Sequence, residues 1–147
     1  MKLLYLVTLV AYAALAAEKK VKLEELPPAV RAAVNEQTRN ATLVGLSTEN
    51  EKGKTVYEVE TKVGGKRRDL VLDQTGTVVQ TEEEIDMATV PASANSAIRK
   101  RAAGGRISMA EKVTAGTAIR YEAVIRSKAG KTAEYAVNAD GTPHKEN

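Results

Sequence analysis

Shifted against itself by 64 residues, the chain lays Leu26-Pro27 over Val90-Pro91, Val30 over Ala94, Ala33 over Ala97, Val34 over Ile98, and Tyr57-Glu58 over Tyr121-Glu122. After one inserted residue the match continues, with Gly65-Lys66 over Gly130-Lys131, Leu70 over Tyr135, Leu72 over Val137, and Gly76-Thr77 over Gly141-Thr142. The order of helix signal, strand, glycine turn, strand and glycine turn is kept throughout, and a recurrence of this kind is how a copied supersecondary unit shows itself. The expected fold class is therefore α+β, a tandem repeat in which each unit packs one helix on an antiparallel meander of three or four strands. Residues 17–89 form the first repeat and residues 90–147 the second.

Within each expected unit the hydrophobic period changes once. Proline opens a helix, where its fixed φ suits the first turn and its missing N–H is no loss. Val30, Ala33 and Val34, and then Ala94, Ala97 and Ile98, fall at helical spacing on one narrow stripe. Beyond the helices the period drops to two. Tyr57, Val59 and Thr61 share one face of a strand over residues 55–62, with Val56, Glu58, Glu60 and Lys62 on the other. Ile119, Tyr121, Ala123 and Ile125 likewise oppose Arg120, Glu122, Val124 and Arg126. Further strands are expected at 43–46, 68–72, 107–110 and 133–137. Glycine-bearing turns join them, among them Gly53, Gly64-Gly65, Gly116 and Gly130. The charged segment 82–86 reads as the junction between the two units.

The chain begins with Met1-Lys2, an apolar run over residues 3–15 and a small-x-small Ala14-Leu15-Ala16, which together predict a secretory signal peptide over residues 1–16. That run is shorter than the roughly 20 residues a spanning helix needs, so no transmembrane segment is expected in the mature chain. The location predicted is periplasmic or secreted. None of the 147 residues is Cys, Trp or Phe, so the fold must rest on packing alone, without the disulfides common in exported domains. About 130 mature residues suffice to bury a core.

The first unit resembles the PepSY-like domain, of the exported type related in fold to β-lactamase inhibitory protein. The resemblance rests on Leu26-Pro27-x-x-Val30-x-x-Ala33, Tyr57-Glu58-Val59-Glu60, Gly65-Lys66 and Asp73-x-x-Gly76-x-Val78. The second unit shows the same outline in Val90-Pro91, Tyr121-Glu122-Ala123, Gly130-Lys131 and Asp140-Gly141-Thr142. What the resemblance implies is a tandem α+β fold, an envelope location, no catalysis, and binding or restraint of other proteins, peptidases among them. The β-lactamase inhibitor relies on disulfides and a concave aromatic surface. This chain has no Cys and few rings, so no inhibitory residue is carried over.

The single His, His144, stands three residues from the end, where a terminal tail seldom holds a general base in place. Ser96 and Lys100 form an i, i+4 pair, but nothing apolar nearby would lower the Lys pKa. Glu58 with Glu60, and the run at 82–86, are the nearest to paired carboxylates, and a solvated outer face explains them more simply. Asp73-x-x-Gly76 and Asp140-Gly141 lack the further oxygen ligands of a calcium loop and read as hairpin turns. No glycine loop for phosphate precedes a helix. The chain is therefore read as no enzyme, with no catalytic residue, no metal and no cofactor.

Two surfaces remain. If a helix covers one sheet face of each unit, the other face can meet a partner, and the residues placed there are Glu58, Glu60 and Lys62 with Arg120, Glu122 and Arg126. Charge offers the second surface. Residues 17–89 carry 11 basic and 14 acidic side chains, residues 90–147 carry 10 and 5, and the basic excess centres on Arg99, Lys100, Arg101 and Arg106. Those four are an anion-binding candidate for an envelope polymer or lipid headgroup. Nucleic acid is not an expected partner, because export separates the chain from it and the rings that stack single strands are missing. The function read from the sequence is a non-catalytic envelope module that binds another protein or peptide through open sheet faces and is a candidate inhibitor of it. The alternative is a small-ligand or anionic-polymer sensor using the basic second half.

Overall fold

The computed structural model describes residues 18–51 and 53–145. The signal-peptide expectation for residues 1–16 lies outside the described residues.

Both helices start where proline allows. Helix α1 spans Pro28–Gln37 behind Pro27, and α2 spans Ala92–Ala102 behind Pro91, each following a short 3-10 turn. Val30 and Val34 of α1, and Ala94 and Ile98 of α2, are fully buried, as the helical spacing requires. The Thr38 hydroxyl donates to the Val34 carbonyl at 2.8 Å at the end of α1. Helix α2 ends at Ala103, which takes the left-handed conformation with φ 47°. Arg99, Lys100 and Arg101 occupy its last turn, where cations complement the helix dipole.

The strands are β1 (Lys19–Lys20), β2 (Thr42–Glu51), β3 (Lys54–Val63), β4 (Lys66–Leu72), β5 (Val78–Glu84), β6 (Arg106–Ala115), β7 (Ala118–Arg126) and β8 (Thr132–Val137). They form a single eight-stranded sheet in sequential order, antiparallel throughout. This overturns the expected tandem of helix-and-meander units. Among the described residues the fold is one sheet with two α-helices laid on it. The physical reason lies in the segment expected to be a charged junction. Residues 82–84 belong to β5, which pairs with β4 along one edge and with β6 along the other, Glu82 opposite both Asp69 and Val113. Separate meanders would each leave an unpaired edge, and joining β5 to β6 satisfies those backbone groups internally.

Cross-strand register places both helices on the same side of this sheet. Val59 stands opposite Leu70, Leu70 opposite Thr81, and Thr81 opposite Thr114, which shares a face with Ala110 on β6. Under α1 lie Leu46, Tyr57, Val59, Leu70 and Leu72, while under α2 lie Ala110, Ala123, Ile125 and Val137. The alanines let α2 approach closely. Two turns hold the helices down: a Cβ at Gly76 would stand 2.7 Å from the Ala29 carbonyl oxygen, and one at Gly141 would stand 2.7 Å from that of Ser93. Both glycines have positive φ, at 82° and 85°, so each position needs glycine for its conformation and for its clearance.

Candidate functional site: the uncovered sheet face

No described helix lies on the opposite face of the sheet. Its residues are those out of phase with the core: Ser47 and Gly45 on β2, Glu58 and Glu60 on β3, Arg67 and Asp69 on β4, then Glu82 and Glu84 on β5, Glu111 on β6 and Glu122 on β7. An uncovered antiparallel face is usually wet and polar. Here it is polar and largely withdrawn from solvent, with Asp69 3% exposed, Glu82 7%, Glu111 8%, Glu122 8% and Glu58 9%. Val56, Val71 and Val113 are buried among them.

The pairing register sets carboxylates side by side. Asp69 stands directly opposite Glu60 and Glu82, and Glu111 directly opposite Glu84 and Glu122. Like charges in direct opposition are unfavourable, so each needs compensation. Most have it. The Arg67 guanidinium pairs with Asp69 at 2.5 Å, and the Thr61 backbone N–H donates to the same carboxylate at 3.1 Å. Arg120 pairs with Glu122 at 2.6 Å. The Ser47 hydroxyl donates to Glu58 at 3.3 Å, the Gln80 amide to Glu82 at 2.8 Å, and the Arg67 backbone N–H to Glu84 at 3.1 Å. Glu60 lies over Gly45, where a Cβ would come within 3.1 Å of its carboxyl group. Glu60 and Glu111 are the exceptions: among the described residues no hydrogen-bond donor and no cation within 4 Å reaches either carboxylate, and both remain open to solvent.

Burial and neighbours leave their mark on proton affinity. Burial, with Glu60 as the next cause, pushes Glu58 up from 4.5 to about 7. Burial and then Glu82 push Glu111 up to about 7 against the pull of Arg67. Glu82 is raised as well, by burial and then by Glu122. Burial alone would lower Arg67, but its hydrogen bond to Asp69 together with the charges of Asp69, Glu111 and Glu60 outweighs that and holds the guanidinium more firmly charged. Beside these groups a hollow of about 350 Å³ is lined by Val44, Glu60, Lys62, Arg67, Glu84 and Met109, among others.

The six residues assigned from the sequence to the open face all lie on it, with Glu58, Glu60 and Lys62 on β3 and Arg120, Glu122 and Arg126 on β7. Four that sequence reasoning did not assign there stand between them: Arg67, Glu82, Glu84 and Glu111. The anion-binding candidates are not gathered into one site. Arg99 and Lys100 line a broad hollow along α2 with Asn95 and Ser96, and the Arg99 Nε donates to the Asn95 Oδ1 at 2.7 Å. Arg101 instead stands over the Tyr135 ring, 5.8 Å from its centroid, and Arg106 sits on β6 opposite Arg126. His144 is occupied in the closing turn, its Nδ1 2.9 Å from the Asn138 Oδ1. Asp73 accepts from the Thr75 and Thr77 backbone N–H groups, and Asp140 from that of Thr142, so both acids serve their own turns. Among the described residues no group of three acidic or imidazole side chains has a geometry that could hold a metal ion, and no helix is long and apolar enough to cross a membrane.

No family model matches the chain, and no curated protein matches it in sequence. Solved structures match its shape. A predicted periplasmic protein from Bacteroides eggerthii superimposes with a TM-score of 0.66 at 13% identity, over 82% of this chain and 86% of that one. A DUF2874 family protein from Bacteroides uniformis gives 0.64 at 15% identity, over 81% and 86%. A BLIP-like protein from Bacteroides fragilis gives 0.57 at 18% identity, over 83% and 86%. The fold is thus that of the β-lactamase-inhibitor-like proteins.

Proposed function

We propose that this chain is a non-catalytic envelope protein that binds another protein or peptide through the uncovered face of its sheet, restraining the partner it holds. The observation that carries the reading is the face itself: strands β2 to β7 present a contiguous set of polar side chains, buried against one another, with no described helix over them. A non-obligate interface taken as a whole is about as polar as the rest of a protein surface, so the polarity of this face is compatible with binding. An envelope location is supported by the leader-like residues 1–16 and by the likeness to the B. eggerthii protein, whose name places it in the periplasm. Protein binding is supported by the likeness to the BLIP-like protein, and the sequence resemblance to PepSY-like domains points the same way.

A photo-crosslinking residue placed at Lys62 or Arg126, both exposed on this face, tests the reading. Irradiation in envelope extract should give a discrete adduct from either position and none from Lys100 on α2. Equal adducts from all three positions, or none from any, would refute it. The alternative of a polymer or headgroup sensor has only Arg99 and Lys100 sharing a hollow, since Arg101 and Arg106 point their charge elsewhere.

A further inference from the structure

We infer that the end of the molecule built from the last turn of α2, the start of β6 and the turn between β7 and β8 is a docking surface for an anionic lipid membrane. This surface is independent of the uncovered sheet face and of the partner held there.

The four anion-binding candidates share no hollow, but the fold brings three further cations to them. Arg99, Lys100 and Arg101 close α2, and the chain then turns through Gly104-Gly105 into β6 at Arg106. That turn lies against the end of β7. A Cβ at Gly105 would stand 2.6 Å from the Arg126 carbonyl oxygen, and one at Gly104 would stand 3.2 Å from the Lys128 Cε. Pairing sets Arg126 opposite Arg106 on one side and Thr132 on the other. The loop beyond is closed across its base, the Ser127 N–H donating to the Lys131 carbonyl at 2.7 Å, so Lys128 and Lys131 stay at the same end. All of these cations are exposed. Residues 99–110 contribute four and residues 123–133 three, and neither stretch contains an Asp or Glu.

The chain does not neutralise this charge itself. Arg106 and Arg126 are directly opposed, an unfavourable pairing of like charges, and among the described residues neither has a carboxylate within 4 Å. Lys100, Lys128 and Lys131 likewise pair with no acid there, while Arg99 and Arg101 have neutral partners, the Asn95 amide oxygen and the Tyr135 ring. A cluster of this size is attracted to an anionic bilayer, each cation near the surface adding about fivefold in affinity.

The composition of the surface favours a membrane over a protein. A protein interface takes its energy from a few bulky anchors seated in desolvated pockets. Here Ala103, Gly104, Gly105, Ala129 and Gly130 lie between the charges, and none of the large exposed hydrophobics falls in either stretch. Cations spread over separate elements match mobile headgroups, which rearrange to meet them, better than one rigid partner.

Cosedimentation of the purified protein with phosphatidylglycerol vesicles, with phosphatidylcholine vesicles as a second arm and penta-glutamate as a third ligand, tests the inference. The protein should pellet with phosphatidylglycerol and stay in solution with phosphatidylcholine. Binding should disappear as sodium chloride rises from about 0.05 to about 0.5 M. Lys128→Gln and Arg106→Gln should each weaken it about fivefold and together about 25-fold. Lys54→Gln, exposed at the other end of the sheet, should leave it unchanged. Unfolding midpoints of these variants should not fall below that of the parent, because every substituted side chain is exposed. Equal pelleting with both vesicles, binding that survives high salt, or equal losses from Lys128→Gln and Lys54→Gln would overturn the inference. Tighter binding to penta-glutamate than to the vesicles would also overturn it, and would assign the surface to an acidic protein segment.

Discussion

On strand β3, Tyr57 and Val59 sink into the core under α1, while Glu58 and Glu60, each one residue away, stand on the opposite face with no described helix over them. The same contrast runs across the sheet, with Leu70 against Asp69 on β4 and Ala110 against Glu111 on β6. The helix-covered face is held by burial of apolar area, which is additive and indifferent to pH. The uncovered face is held by paired charges and directed hydrogen bonds, in which each group depends on its neighbours. One sheet therefore joins a stabilising side to a side whose buried carboxylates oppose stability.

Breaking the covered side should give the largest effect. Leu70 is fully buried between α1 and the strands, so Leu70→Ala should cost about 2–5 kcal/mol in urea unfolding. Gly141→Ala should follow, costing on the order of 1–3 kcal/mol through a positive φ and adding a Cβ beside the Ser93 carbonyl oxygen. Gly76→Ala should behave alike against Ala29. A Gly141→Ala variant as stable as the parent would show that the turn does not hold α2 down.

The uncovered side should respond with the opposite sign. Because Glu58 and Glu111 are raised from 4.5 to about 7, the folded chain binds more protons than the unfolded chain between those values. Stability should therefore be greatest at the acidic end of that window and fall as pH rises from about 4.5 to about 7. Asp73 and Asp140 are held below their usual 3.8, chiefly by hydrogen bonds from Thr75 and Thr142. They act in the other sense, losing their contribution only as the pH drops below that value. Glu58→Gln with Glu111→Gln should flatten the slope, and each should raise stability at pH 8 by about 1 kcal/mol. Unfolding midpoints at pH 5 and pH 8 decide it. A parent that is more stable at pH 8 than at pH 5 contradicts the assignment.

The two faces were also unequally legible in the sequence. Val30 and Val34, the proline starts of both helices, and the phase of Tyr57, Glu58 and Val59 follow from periodicity, because apolar spacing records what packs. The recurrence at 64 residues suggested separate units, but spacing says nothing about which strand edges join, and β5 to β6 is a contact between distant segments. Glu82-Glu83-Glu84 read as a junction because a run of like charges shows no alternation. Glu111 was lost for a different reason. The pairing of β6 with β7 slips between Ile107 and Met109, and a bulge of one residue inverts the faces of everything beyond it. The expected strand at 107–110 stopped short of Glu111 and carried no information about its side.

The finest comparison lies within β5. Glu82 and Glu83 are adjacent and chemically identical, yet Glu82 is 7% exposed on the uncovered face, beside Asp69 and accepting from Gln80. Glu83 is half-buried on the helix side, opposite Arg68, whose guanidinium is engaged with the Gln37 side chain at 3.0 Å. Burial raises Glu82, so removing its charge relieves both desolvation and repulsion from Glu122. Glu82→Gln should stabilise the fold at pH 8 by a fraction of that expected for Glu111, since Gln80 already compensates it. Glu83→Gln removes a charge opposite a cation and should change stability by no more than about 0.5 kcal/mol. Matched unfolding curves for the pair measure the difference between the faces with composition held constant. Equal responses would mean that the two sides of the sheet do not differ electrostatically at β5, and the contrast would then be confined to β3 and β6.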